Sequence, residues 1–553
     1  MLKIAPRFYP LVLLFLGILF YIPFLGRVHL FDWDEINFAE SAREMLVTGN
    51  FTRVQINFEP FWEKPPLFFW MQATAMNAFG IGEFAARFPN AIIGICTLVV
   101  LYLIGQRLYT PPFGLLWAMG YLGSFTPHLY FKSGIIDPTF NFFIFMGVWY
   151  LVNAVAAYSS SRATRYSALS GLFIGLAVLT KGPVGGLLPG LTFLIYWGLQ
   201  RFRPILSFRN GLLLAGCALV VASLWFGLEL AQNGWWFFQE FIDYQIRLFM
   251  TPDAGHAQPF FYHFVVVLLG CFPISVLAIR YITVWKAAPA SDTTEPVNGE
   301  LFRQWMVILF WVVMILFSIV RTKIVHYSSM AWFPVSYLAA YHLHQYLTGK
   351  ISWNRWTTIG LIVLGAIWGI LLAAVPLVGM NAPALTPYIN DPFAVANLQA
   401  PVYWAGWEWL IGLLYGVAII WWIIRVPRVG FRAITGLYLT TAVCLLIYLA
   451  QVVPKIEQYT QGTVIDFYQA KQGQNVYVEP IGYKSYAQLF YFRKTPPVNP
   501  KTRDENYLLN GPVDKPTFLI TKITSAEDYR YNPNLELISE ENGFVFFRRK
   551  VFR

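Results

Sequence analysis

Four carboxylates crowd the stretch FDWDEINFAE, residues 31–40: Asp32, Asp34, Glu35 and Glu40. The apolar run LVLLFLGILFYIPFL just before it reads as a membrane span, so these acids stand at the mouth of a bilayer. Carboxylates that close to hydrocarbon are costly unless solvated, paired or used. A second element, FWEKPPLFFW at 61–70, sets Glu63 beside Lys64, and its Pro-Pro pair stiffens the backbone after them. A third, KSGIIDPTFNFF, places Asp137 at the outer end of a span with Lys132 nearby. Further along, DYQIRLFMTPDAGHAQPFFYHF carries Asp243, Tyr244, Arg247, Asp253 and His256, and VRTKIVHYSSM carries Arg321, Lys323, His326 and Tyr327. Carboxylates, bases and imidazoles at one depth suit a site that binds an anionic headgroup together with a polar co-substrate. Arginine grips phosphate through paired hydrogen bonds and lysine acts as a point charge.

The elements that must position these residues follow from composition. Of 553 residues, 57% are hydrophobic and only 12% charged, about half the charge of a soluble domain. Apolar runs near the ~20-residue length of a bilayer span recur through the first 450 residues. The pattern predicts an all-α polytopic protein with about 13 spans, near 9–26, 88–106, 113–131, 138–157, 167–180, 183–199, 211–232, 260–282, 304–320, 328–346, 357–379, 403–424 and 432–452. The first run lacks a small-residue cleavage site and reads as a retained span rather than a signal peptide.

Two outer loops, 27–87 and 233–259, have helical apolar spacing with polar interruptions and read as helices along the interface. From residue 454 the pattern changes to short alternating strand and helix signals. This predicts a transmembrane domain over 1–453 and a small α/β domain over 454–553. Short loops on one side are rich in Lys and Arg, among them Arg107, Arg162, Arg201, Lys286 and Arg425. The positive-inside rule therefore puts the N-terminus in the cytoplasm and the charged constellation outside. The +11 formal charge is thus spent on topology and the outer site rather than on nucleic acid. Cys96, Cys217, Cys271 and Cys444 lie in separate apolar runs, without a disulfide or metal pattern.

Blander readings compete at several positions. Glu40 and Glu44 read as surface helix charges, and Arg27 and Arg87 as interfacial side chains with their charges in water. Asp34 could simply cap the helix beginning at INFAESA. His326 reads as a packed, hydrogen-bonded residue, and TKGPVGG with Lys181 as a loop between two spans.

The order DWDEINFAESAREML, FWEKPPLFFW, GIIDP resembles the lipid A aminoarabinose transferases, a branch of the polyprenyl-phosphate-dependent GT-C glycosyltransferases that also includes protein O-mannosyltransferases. The resemblance implies spans, interfacial helices and an outer C-terminal domain in a bacterial inner membrane. It implies that Asp34 is the key aspartate of the first outer loop, with Glu35 completing the acidic pair against the substrate. Glu63 matches a glutamate implicated in binding a divalent metal, with His256 as a candidate co-ligand. Lys64 matches a lysine on the carrier phosphate, Asp137 a second aspartate near the donor pocket, and Lys323 and Tyr327 a Lys-x-x-x-Tyr stretch that contacts that phosphate. Asn37, the pair Asp243-Tyr244 and the pair Ile324-Val325 depart from the family's pattern.

Breaking a glycosyl phosphate bond builds positive charge on the sugar and negative charge on the departing phosphate. Lys64, Arg247 and Lys323 or a metal would stabilise that phosphate in a dry site. Asp34 would orient or deprotonate the acceptor on the opposite sugar face. The expectation is a glycosyltransferase that takes its sugar from a polyprenyl phosphate and gives it to a lipid-linked or envelope acceptor amid membrane lipids. A protein O-glycosyltransferase is the alternative within the class, and a secondary transporter or lipid flippase the alternative outside it.

Overall fold

Inside a bilayer each backbone N–H and C=O must find its partner within its own segment, so the apolar stretches fold as helices. The computed structural model describes residues 5–158, 160–250, 258–283 and 298–550. The helices in chain order are α1 (Tyr9–Tyr21), α2 (Asp34–Thr48), α3 (Leu67–Phe79), α4 (Glu83–Leu108), α5 (Pro111–Leu122), α6 (Phe125–Tyr130), α7 (Asp137–Ala156), α8 (Arg162–Lys181) and α9 (Val184–Leu199). There follow α10 (Phe208–Asn233), α11 (Trp235–Met250), α12 (Tyr262–Gly270), α13 (Ile274–Ile282), α14 (Gly299–Ile319), α15 (Trp332–Leu347), α16 (Arg355–Met380), α17 (Trp409–Val429) and α18 (Phe431–Gln451).

Among the described residues, eight helices are long and apolar enough to cross a membrane: α4, α7, α8, α10, α14, α16, α17 and α18. Three of the thirteen expected spans are not continuous helices. The 113–131 segment breaks between α5 and α6 at Gly123-Ser124, where the Ser124 hydroxyl donates back to the Gly120 carbonyl at 2.6 Å. The 260–282 segment breaks between α12 and α13, where Pro273 has no N–H to continue the ladder. The 328–346 segment starts in a 3₁₀ turn, Val325–Ala331, before α15.

The first outer loop does contain helices, but α2 is not a surface helix. Every residue from Glu35 to Met45 is buried, because the C-terminal domain covers it. That domain builds a four-stranded sheet from β1 (Tyr477–Pro480), β2 (Thr517–Lys522), β3 (Leu535–Glu541) and β4 (Phe544–Arg549) in the order β1-β2-β4-β3. Strands β1 and β2 are parallel and the other pairs antiparallel. Its contacts with the first loop are specific: Leu30 N–H donates to Tyr491 Oη at 2.6 Å, His29 pairs with Glu457 at 3.0 Å, and Arg43 donates to the Lys494 carbonyl at 2.7 Å.

Glu40 and Glu44, expected in water, are instead fully buried beside Arg43. Arg43 takes Glu40 in a two-pronged ion pair, both bonds at 2.6 Å. Burial, and then the nearby Glu40 carboxylate, push the Glu44 carboxyl from its ordinary value of 4.5 up to about 9, so it is folded as the neutral acid. A folded-state pKa above the unfolded one means the native chain binds the extra proton. Stability from this group is therefore complete below pH 4.5 and is lost as pH rises toward 9. Glu44→Gln keeps the neutral shape and removes the ionisation. It is expected to raise thermal stability at pH 8 and flatten its pH dependence between 5 and 9, measured by thermal unfolding in detergent. An unchanged pH slope would contradict a buried neutral Glu44.

Candidate active site

Arg87 was expected to hold its charge in water at the interface; it lies buried on α4. Its Nε and Nη2 bind the two Glu35 oxygens at 3.0 and 2.7 Å, and its remaining N–H groups donate to the carbonyls of Leu25, Val28 and His29 at 2.7–3.0 Å. All five guanidinium donors are thereby used. Glu35 also accepts from the Phe31 N–H at 2.9 Å and the Gly134 N–H at 2.5 Å. Burial raises the Glu35 pKa, but Arg87 and these two amides outweigh it and hold the carboxyl below its ordinary range. Glu35, expected to contact substrate, is thus committed to a clamp that joins the first outer loop, α4 and the turn before α7.

That turn is tied a second time. Asn90 on α4 donates to the carbonyls of Ser133 and Ile135 at 2.8 and 2.6 Å and accepts from Thr139 at 2.8 Å. The turn delivers Asp137 as the first residue of α7, with Pro138 in the position a helix start favours. Lys132, expected to accompany Asp137, instead caps the end of α1 through the carbonyls of Phe20, Tyr21 and Pro23 at 2.6–3.1 Å. The cation that meets Asp137 is Lys181, 2.6 Å from its Oδ1. Lys181 closes α8, where Gly182 at φ +91° lets the chain reverse, and a Cβ there would come within 2.9 Å of the Phe241 ring. The TKGPVGG segment, read as a loop, is helical at both ends, with only Gly182 and Pro183 between α8 and α9, and its lysine belongs to the site.

Asp34, Glu35, Glu63, Lys64, Asp137, Arg247 and Tyr327 all line one cavity of about 1140 Å³. Asp34 is the first residue of α2 and its side chain is 38% exposed, so it faces the cavity rather than capping the helix. Its Oδ2 lies 3.8 Å from His326 Nε2, and the same nitrogen lies 3.8 Å from Asp137 Oδ2. His326, read as a packing residue, thus stands between the two carboxylates. Lys64 Nζ sits 4.9 Å from the centre of the Tyr244 ring, and Arg247 Cζ 5.2 Å from the same ring. Burial is the largest influence on Lys64 and lowers its pKa, opposed by Glu63 and reinforced by Lys181. Tyr327 presents its ring to Lys181 Nζ at 5.1 Å.

Lys323 does not reach the cavity. Its ammonium donates to the Val320 carbonyl at 2.8 Å, while its neighbours Thr322 and Ile324 line the cavity wall. The backbone is extended at Ile324, so successive side chains point to opposite sides. His256 lies outside the described residues. Among those described, no three His, Cys, Asp or Glu side chains are grouped as cation ligands, so Glu63 lacks such a set.

Three cavity residues, Lys181, His326 and Tyr244, carry no site role on the sequence alone. Tyr244 was legible as the residue one helical turn before Arg247 on amphipathic α11. The other two come together only through the meeting of α2, α7, α8 and the 325–331 turn.

Besides these charged groups, α6, α16 and α18 give the cavity an apolar side: Phe125, Leu129, Trp368, Leu372, Leu445 and Leu449. Phe125 and Trp368 stack at 3.8 Å to form part of that wall. A bundle of long and broken apolar helices, with a C-terminal α/β domain and a cavity where the two meet, is a fold of GT-C type. The resemblance read from the three motifs is borne out by relatives of known name. The sequence profile of the dolichyl-phosphate-mannose-protein mannosyltransferases matches residues 63–226. The chain is 26% identical to the undecaprenyl phosphate-alpha-4-amino-4-deoxy-L-arabinose arabinosyl transferase of Edwardsiella ictaluri, over 73% of this chain and 74% of that one. It is 27% identical to the namesake from Erwinia tasmaniensis over 61% of this chain, an alignment that spans 59% of the relative. Crystal structures of ArnT from Cupriavidus metallidurans share the fold: the undecaprenyl phosphate complex at TM-score 0.78 and 17% identity over 98% of both chains, and the apo form at 0.74.

The Glu35–Arg87 clamp is directly testable. Removing one partner of a buried ion pair strands the other, so Arg87→Met alone is expected to cost about 3–5 kcal/mol. Adding Glu35→Gln should recover part of that loss. Denaturation of both variants in detergent measures it, and strictly additive losses would show that the pair is not coupled.

Proposed function

We propose that this chain is an integral-membrane glycosyltransferase of the bacterial inner membrane. It moves a sugar from undecaprenyl phosphate to a lipid-linked or other envelope acceptor on the periplasmic face. The observation that carries the reading is the mixed lining of one cavity, with charged side chains from α2, α7, α8, α11 and the loop before α3 and apolar ones from α6, α16 and α18. An amphiphile with an anionic head and a long tail fits such a space, and a water-soluble substrate would leave the apolar side empty. The relatives' names supply the donor class, and the abundance of Lys and Arg in the opposite loops supports the orientation.

The residues divide the work by charge. Lys64 and Arg247, held against one tyrosine ring, face the carrier phosphate and stabilise the negative charge that grows on it as the sugar–phosphate bond breaks. Asp34, with the most open of the cavity's paired carboxylates, addresses the acceptor from the other side of the sugar. Asp137 and Lys181 form the buried pair behind it, and Tyr327 packs on Lys181. In this reading the acidic pair of the first loop has two jobs. Glu35 folds the site and Asp34 acts in it.

The test incubates purified full-length protein with radiolabelled undecaprenyl-phosphate sugars and candidate acceptors. Asp34→Asn is expected to lower turnover on the order of 10²–10⁴-fold, the usual range for a general acid–base group, without loss of undecaprenyl phosphate binding. Equal turnover by wild type and Asp34→Asn on the true substrate pair would remove Asp34 from the chemistry. In binding assays with undecaprenyl phosphate, Lys64→Ala should weaken affinity roughly 10–100-fold, as loss of a charged hydrogen bond does, and Lys323→Met should not. Weakening by Lys323→Met alone would contradict the placement of the two lysines.

A further inference from the structure

The imidazole of His326 touches neither wall of the cavity by chance of packing alone. The 325–331 turn that carries it is pinned: Ser329 Oγ donates to the His326 carbonyl, and Asn141 of α7 donates to Ser329 Oγ at 2.7 Å. Nε2 is thereby set 3.8 Å from an oxygen of each carboxylate, one on α2 and one on α7. Asp137 is already balanced by Lys181 at 2.6 Å. The result is a line of four groups, Lys181, Asp137, His326 and Asp34, that ends at the exposed carboxylate.

We propose that His326 is the proton partner of Asp34, and that the acceptor therefore carries a proton on its attacking oxygen, as a hydroxyl or a monoprotonated phosphate. This rests on the glycosyl-transfer reading above and narrows its acceptor. In the step, the acceptor oxygen forms a bond to the anomeric carbon while the carbon–oxygen bond to the carrier phosphate breaks. The electron pair leaves on that phosphate, which Lys64 and Arg247 hold. The acceptor proton passes to Asp34 and on to His326 Nε2, then to water. A separation of 3.8 Å is long for a hydrogen bond, and catalytic contacts of this kind close only around substrate.

The surroundings agree with a proton-accepting imidazole. Facing it are Asp34, Asp137, Lys181 and Lys64 from α2, α7, α8 and the loop before α3, with His263 on α12 and the rings of Tyr130 and Tyr327. Burial is the largest influence and lowers its pKa, against the pull of Asp137, so the ring is neutral and free to take a proton at neutral pH.

Two measurements on the full-length protein decide the matter. With the undecaprenyl-phosphate sugar and acceptor that wild type uses, His326→Asn should cut kcat on the order of 10²-fold, leave the KM for donor nearly unchanged, and remove the acidic limb of the pH–kcat profile. Full kcat with an unaltered profile in His326→Asn, alongside an inactive Asp34→Asn, overturns this inference and leaves the glycosyl-transfer reading standing. A loss confined to donor KM also overturns it. Independently of turnover, the His326 imidazole titration followed by NMR should move down by roughly half a pH unit or more in Asp34→Asn, since a neighbouring carboxylate favours the imidazolium. An unmoved titration sinks the proposal whatever the assay reports.

Discussion

The site depends on one buried ion pair. Arg87 and Glu35 satisfy one another and, between them, five backbone groups drawn from residues 25–31 and from Gly134. A charge stripped of water in this setting is tolerable only when each of its hydrogen-bonding directions is met. That demand makes the geometry nearly unique. The loop carbonyls at 25, 28 and 29 must converge on α4, and the amide of Gly134 must approach the same carboxylate. Asp34 on one side and Asp137 on the other are one and three residues from the anchors, so fixing the clamp fixes the reacting groups.

Around that anchor the charges are arranged in order of commitment. Glu35 is wholly engaged, Asp137 is paired on one oxygen, and Asp34 is more than a third exposed. Cations follow the same gradation, from Arg87 through Lys181 to Lys64 and Arg247 on the Tyr244 ring. In a cavity whose other side is hydrocarbon-like, fixed charges act at higher strength than in water.

The outer domain is part of this arrangement rather than an appendage. Ser485 donates to Asp32 at 2.6 Å and the Tyr486 N–H approaches the same carboxylate at 3.3 Å, while the Tyr486 ring meets Trp33 edge-on at 5.2 Å. Lys484, its ammonium 5.1 Å from the Trp33 ring and 5.4 Å from the Tyr486 ring, lines the cavity. Asp32, two residues before Asp34, therefore fastens the domain down, and α2 tolerates Glu40 and Glu44 beneath it because Arg43 pairs with Glu40 and Glu44 is kept neutral.

The sequence by itself determined the class of molecule and the segments that meet: apolar runs of bilayer length, two amphipathic outer loops, a change of pattern after residue 453 and charge gathered at one level. Asp34, Lys64, Glu63, Asp137, Arg247 and Tyr327 were legible because residue type and motif spacing survive without coordinates. Only the tertiary structure decided which of two adjacent acids is clamped and which one faces the cavity unclamped, that Lys181 rather than Lys132 or Lys323 pairs with Asp137, and that His326 stands between two carboxylates. Those outcomes turn on side-chain direction, the alternation at 322–324 and the crossing of helices far apart in the chain. Hydrophobic periodicity sets where a helix lies, but a charge finds its partner through distances between helices, which no single segment encodes.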